Sequence, residues 1–169
     1  MRIDPVLIYG VPGSGKTTLI RRLAEAWGHQ RCSGFFTQEV REHGRRTGFR
    51  WQTFVGTQGT LADMRTGAPR VGKYRVDLQS FESMLPEIAE ISAGKILLID
   101  EVGKMECLSA KFCSLLLNWE AENCIRLFTV PLKGTSFIES FKARNQMYLV
   151  ELTPANRDNL FAHLVPLGQ

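Results

Sequence analysis

The stretch Gly10-Val11-Pro12-Gly13-Ser14-Gly15-Lys16-Thr17 fits the pattern G-x-x-x-x-G-K-[ST], whose residue types suit a phosphate chain. Glycines let the backbone curl until consecutive N–H groups point inward, and a helix starting just after them adds the positive end of its dipole to that anion nest. Lys16 would reach the outer two phosphates of a triphosphate and counter charge that builds there, while the Thr17 hydroxyl would ligate Mg²⁺. The expected nucleotide-binding set is therefore Gly10, Val11, Pro12, Gly13, Ser14, Gly15, Lys16, Thr17 and Thr18, the last through its backbone or hydroxyl.

A second constellation stands at Lys95-Ile96-Leu97-Leu98-Ile99-Asp100-Glu101, an apolar run that delivers two carboxylates at its C-terminal end. Asp100 is placed to hold Mg²⁺ directly or through a water, and Glu101 to act as general base on the attacking water. Asp100-Glu101-Val102-Gly103 also reads as a GTPase-type D-x-x-G, in which Gly103 meets the γ-phosphate. No N-K-x-D follows to read guanine, and Asn156-Arg157-Asp158 lacks the lysine. Thr129, at the end of its strand, could bond the γ-phosphate or the water. An arginine could stabilise charge on the transferring phosphoryl group, and Arg75, Arg144 and Arg157 are the candidates, with Arg144 ranked first as a catalytic residue beside Lys16 and Glu101. Arg41, Arg45, Arg46 and Arg50 crowd near Trp51 and could track a nucleic-acid backbone. A charged hairpin tip that discourages edge pairing is the favoured reading of that cluster.

Elements on either side must hold these residues. Val6-Leu7-Ile8-Tyr9 reads as a buried parallel strand running into the phosphate loop. Leu19, Ile20, Leu23 and Trp27 then recur at helical spacing, with Arg21, Arg22 and Glu25 on the other face and Gly28 as the stop. Phe36, Gln38 and Val40, then Phe49, Trp51, Thr53 and Val55, alternate about Glu42-His43-Gly44-Arg45, a β-hairpin extending one edge of a sheet. Residues 56–72 lose periodicity and read as a long surface loop or lid. Leu78, Phe81, Leu85 and Ile88 mark a helix that Pro86 kinks or restarts. Leu108, Phe112, Leu115, Leu116 and Trp119 mark another, Ile125 to Val130 with Pro131 an inner strand, and residues 137–141 a short helix. Met147 to Leu152 reads as the last strand, followed by a helix with Thr153 as N-cap and Pro154 at its first position. Strands alternating with helices predict a doubly wound, mainly parallel sheet, and the phosphate loop after the first strand makes the expected fold an α/β P-loop NTPase fold, three-layer α/β/α with a β-hairpin extension.

At 169 residues and 44% hydrophobic, the chain is expected to form a single domain over 1–169. A net charge of +4 favours polyanionic ligands without the footprint of a dedicated nucleic-acid binder. Cys32, Cys107, Cys113 and Cys124 show no C-x-x-C spacing and no secretory signal precedes them, so free thiols and a cytoplasmic setting are expected. No apolar run approaches the roughly 20 residues that span a bilayer. Expected partners are a nucleoside triphosphate and Mg²⁺, with no membrane, and the expected state is a monomer.

Taken together, these segments resemble the small P-loop nucleoside-triphosphatase family that includes a human cancer-related nucleoside-triphosphatase and thermophilic bacterial and archaeal relatives. The resemblance runs nearly end to end. It rests on the phosphate loop with Thr17-Thr18, on Gly34-Phe35-Phe36-Thr37-Gln38-Glu39-Val40-Arg41 with Gly44-Arg45-Arg46-Thr47-Gly48-Phe49, and on Gly72-Lys73-Tyr74-Arg75-Val76-Asp77-Leu78. Asp100-Glu101-Val102-Gly103-Lys104-Met105-Glu106 and Asn156-Arg157-Asp158 complete it. The resemblance implies an α/β P-loop fold and Mg²⁺-dependent hydrolysis of ATP, GTP and other nucleoside triphosphates with loose base selectivity. The alternatives are a nucleotide or small-metabolite kinase, with Arg75, Arg144 and the 56–72 segment forming a lid, or a slow nucleotide-dependent switch that binds RNA or protein through the arginine-rich hairpin.

Overall fold

Period-two alternation along the apolar strands decides the layering. The computed structural model describes residues 4–92, 94–120, 122–145 and 148–169. Its elements run β1 (Val6–Gly10), α1 (Lys16–Trp27), β2 (Cys32–Glu42), β3 (Arg45–Thr53), β4 (Gln58–Asp63), β5 (Arg70–Val71), β6 (Tyr74–Val76), α2 (Leu78–Ser83), α3 (Leu85–Ala89), β7 (Ile96–Ile99), α4 (Ala110–Trp119), β8 (Arg126–Pro131), α5 (Ser136–Arg144), β9 (Leu149–Glu151) and α6 (Arg157–Leu164). Leu7, Leu97, Ile99, Phe128 and Val130 point to one face, where Phe81, Leu85, Ile88, Phe112, Leu116, Trp119 and Phe141 from α2 to α5 cover them. Ile8, Ile96, Leu98 and Leu127 point to the other, against Leu19, Ile20, Leu23, Ala24 and Trp27 of α1 and Leu164 of α6. Each large side chain so buried stabilises the fold by about 1.5–3 kcal/mol relative to exposure, before entropy is counted.

Among the described residues the strands form one sheet in the order β5-β6-β4-β3-β2-β7-β8-β1-β9. The run from β2 to β9 is parallel, and β8 lies between β1 and β7. Beyond β2 the sheet continues antiparallel through β3, β4, β6 and β5. The expected hairpin is therefore the inner part of a four-strand extension. Its β2 opens earlier than the alternation suggested, pairing Cys32–Phe35 with Ile96–Ile99 before continuing past the end of β7.

Several expectations need correction. The 56–72 segment is not a long loop, because it holds β4 and β5. Of the two readings of Pro86, the restart holds and the kink does not: α2 ends at Ser83 and Pro86 falls in the first turn of α3. The closing helix begins one turn late, at Arg157. Thr153 and Asn156 instead close the turn ahead of it, the Asn156 N–H donating to Thr153 Oγ1 at 3.3 Å and the Thr153 N–H to Asn156 Oδ1 at 2.8 Å. Of the last strand expected from Met147, only Leu149–Glu151 is found, and Met147 itself lies outside the described residues. The four cysteines are free thiols, Cys32 buried and the others half-buried. No helix among the described residues is long and apolar enough to cross a membrane.

Candidate active site

Helix α1 begins on Gly15, whose φ of 101° is left-handed and suits glycine, and no side chain caps it and no acid sits in its first turn. The first N–H groups of a helix have no intrahelical partner, so this uncapped start is an anion site by construction. The turn before it is held by Ser14 N–H donating to the Val11 carbonyl at 3.1 Å. Lys16 Nζ folds back onto the loop, donating to the Gly10 and Val11 carbonyls at 2.9 and 3.3 Å. Those are weak partners that a phosphate oxygen would replace. Ser14 Oγ is buried without a hydrogen-bond partner among the described residues.

Asp100 sits just past β7, where the strand delivers it beside the phosphate loop. Its N–H donates to the Phe35 carbonyl at 3.0 Å, which fixes it against β2. Its carboxylate is 1% exposed and takes Thr17 Oγ1 at 2.7 Å, Thr129 Oγ1 at 2.8 Å and the Thr37 N–H at 3.4 Å. Burial pushes this carboxyl above the usual range, and the three donors and Lys16 pull the other way. Thr17 Oγ1 and the Asp100 carboxylate are hard oxygen donors in contact, with no salt-bridge partner on Asp100 among the described residues, a set that suits Mg²⁺. Thr129, mid-sheet on β8, acts first as the clamp on Asp100.

Glu101 follows across a cis peptide bond and, with Lys16, lines the cleft over the loop. Burial first, and then the Asp100 charge, raise its carboxyl above the ordinary value, while Lys16 lowers it. Gly103 is not among the residues lining the cleft over the loop and packs instead against the Glu106 side chain. Burial and the Glu101 charge hold that buried carboxyl well above the usual range. The cleft measures about 510 Å³ and is lined by Pro12, Gly13 and Gly15 to Thr18 of the loop and α1, by Asp100 and Glu101, and by Thr37, Gln38, Glu39, Arg46 and Phe49 of β2 and β3.

The arginines distribute differently from the sequence ranking. Arg144 is removed from the site: its Nε donates to Glu120 Oε1 at 3.2 Å. Glu120, at the end of α4, lies beside the start of β8, where Arg126 bonds its carbonyl at 2.8 Å, whereas Gly10, from which the phosphate loop leaves β1, pairs with the end of that strand. Nine residues of α5 carry Arg144 back along the sheet by about 13 Å, at 1.5 Å per residue. Arg75 is also away, bound to Asp63 at 2.8 Å and to Asp77 at 3.4 Å inside the antiparallel extension. Arg157 does meet the loop, its Cδ and Nη1 lying 3.9 Å from where a Gly15 side chain would start, in a small cleft shared with Thr18 and Arg22. Arg46, which the sequence singled out only as part of the arginine-rich hairpin cluster, lines the phosphate cleft. Trp51, the aromatic of the arginine-rich cluster, is 2% exposed and bonds Ser80, so it offers no surface for a base.

A phosphate loop between the first strand and first helix, tied through Thr17 to an acid ending an inner parallel strand, defines an α/β P-loop NTPase fold. The sequence profile of the NTPase family matches residues 5–165, and the chain belongs to that family. The nucleoside-triphosphatase THEP1 of Thermotoga petrophila is 37% identical over 166 residues, covering 95% of this chain and 90% of that protein. The cancer-related nucleoside-triphosphatase of Homo sapiens is 36% identical over 182 residues, covering 97% and 96%. A crystal structure of THEP1 from Aquifex aeolicus superposes with a TM-score of 0.87 at 34% identity, over 98% of this chain and 99% of that one.

Proposed function

We propose that the protein hydrolyses nucleoside triphosphates in a Mg²⁺-dependent reaction, taking ATP, GTP and other triphosphates with loose base selectivity. The observation that carries the reading is the joint placement of Lys16 and Glu101 on one cleft, beside an Asp100 that Thr17 of the loop already engages. The α1 amides bind the phosphates, and Lys16 exchanges its two carbonyl partners for phosphate oxygens. Glu101 takes the proton of the attacking water as its oxygen bonds to the γ-phosphorus and the bond to the β–γ bridging oxygen breaks, leaving the diphosphate. Mg²⁺, held by Thr17 and Asp100, would neutralise charge on the phosphate oxygens. Loose selectivity is supported by Arg157 beside Thr18, since a guanidinium plane stacks on any base.

Phosphate release measured with Mg²⁺ and each common triphosphate tests this. Removing the base by Glu101→Gln is expected to lower kcat about 10²–10⁴-fold, and Lys16→Ala to abolish detectable turnover. Parent-like rates in both variants would overturn the assignment.

A further inference from the structure

The hairpin carries four arginines, and the fold treats them unequally. β2 passes Asp100 and runs on past the end of β7, so the β2–β3 hairpin projects beyond the parallel sheet on the side where the phosphate loop opens. Arg41 spends its guanidinium within the hairpin, on Glu39 Oε2 and the Gly44 carbonyl. Arg50 reaches Gln58, and Arg45 lies exposed at the tip. Arg46 alone of the four lines the phosphate cleft with Lys16, Thr17, Asp100 and Glu101.

Its setting is that of a group fixed in advance. Nε donates to Tyr74 Oη at 3.0 Å and Nη1 to Glu39 Oε1 at 2.8 Å, while the guanidinium carbon lies 5.2 Å from the Phe49 ring centre and 5.7 Å from that of Tyr74. Nη2 has no hydrogen-bond partner among the described residues, so its two N–H groups stay available on a cation already held on two sides. Glu39 serves both Arg41 and Arg46, which leaves the trio with one net positive charge at the cleft. A donor held this way needs little reorganisation when charge develops before it, the condition under which electrostatic stabilisation contributes most.

We propose that Arg46 is a catalytic residue of the hydrolysis, contacting the γ-phosphoryl group in transfer and stabilising charge on its equatorial oxygens, with Glu39 and Tyr74 as its positioning residues. This rests on the triphosphatase reading. The chain thereby supplies in cis the arginine that phosphoryl transfer calls for.

Steady-state hydrolysis by Arg46→Ala, Arg46→Lys, Glu39→Gln, Tyr74→Phe and Arg45→Ala tests it, alongside capture of a diphosphate with aluminium fluoride as a mimic of the transferring group. Arg46→Ala should lower kcat by about 10²-fold or more with KM within about threefold, keep binding a non-hydrolysable triphosphate, and fail to capture the fluoride complex. Arg46→Lys, which keeps the charge but not the planar fork, should stay at least about tenfold low at an unchanged melting temperature, which separates the role from folding. Glu39→Gln and Tyr74→Phe should fall between, and Arg45→Ala should match the parent. A rise in KM with kcat unchanged would make Arg46 a ground-state binder and overturn the proposal, as would parent-like kcat and fluoride capture. A parent protein that binds triphosphate but releases no phosphate would instead sink the triphosphatase reading, and this proposal with it.

Discussion

At the scale of single residues, the proposed site turns on a buried carboxylate beside the phosphate loop. Asp100 is nearly inaccessible, and two threonine hydroxyls, from α1 and from β8, replace the water it has lost. Thr129→Val keeps the shape and removes the donor to Oδ1. The expected outcome is a loss of about 1–3 kcal/mol in stability and about a tenfold drop in hydrolysis, with a higher Mg²⁺ concentration needed for half-maximal rate. A thermal melt and a Mg²⁺ titration of the rate measure both. Thr17 and Asp100 could be read from the sequence because each is fixed by its neighbours, one by a loop pattern and one by an apolar strand ending on an acid. Arg46 could not, because what brings it to the cleft is the length of β2, which pairs with β7 over Cys32–Phe35 and carries its pairing with β3 on to Glu42, beyond the end of β7. No local pattern encodes that. Arg144 failed for a related reason, since counting residues after a strand ignores that the intervening helix runs back to the far end of the sheet.

Among the elements, the antiparallel extension was the least legible. Residues 56–72 contain Gly56, Gly59, Gly67 and Gly72 and look like a loop, yet Gly59 is a strand residue placed under the Trp51 ring, where any side chain would collide with the indole. Composition that signals a turn here serves a close approach. Besides the apolar packing of Leu61, Tyr74 and Val76, charge ties the extension together: Arg75 makes two bonds to Asp63, at 3.1 and 2.8 Å, and the Arg65 side chain adds another at 2.7 Å. Arg75 foremost, with Arg65, holds the Asp63 carboxyl well below the usual carboxylate range. A depressed folded value means that this contribution is complete above the unfolded value of about 4 and is lost progressively as pH falls below it. Asp63→Asn should therefore lower the urea midpoint at pH 7, and the gap between variant and parent should narrow as the measurement moves towards about pH 3. A gap that stayed constant across that interval would show that the pair contributes through shape alone. Burial also pushes the Cys32 thiol up to about 11, so an alkylating reagent at neutral pH should leave it unmodified while the fold is intact.

For the whole molecule, the two cores separate the support of the phosphate loop from its chemistry. On one face α1 is wedged by the segment 165–168: Trp27 Nε1 donates to the Val165 carbonyl at 2.8 Å, and Arg31 Nη1 to the Gly168 carbonyl at 2.7 Å. A side chain at Gly168 would run into the Trp27 indole, so Gly168→Ala forces ring or backbone to move. Overpacking of this kind costs about 1–3 kcal/mol, which for a chain of this size lowers Tm by about 3–10 °C. The contact lies at the end of α1 remote from Lys16, and the helix itself should persist. Ligand-linked stability distinguishes the two ends. A non-hydrolysable triphosphate with Mg²⁺ at about one hundred times its Kd should add about 2.7 kcal/mol, or about 5–10 °C in Tm. Gly168→Ala should start lower and still gain that full increment, whereas Lys16→Ala should start near the parent and gain little of it. If Gly168→Ala lost the increment as well, packing behind α1 would be setting the geometry of the loop, and the separation of scaffold from site would fail at the helix that joins them.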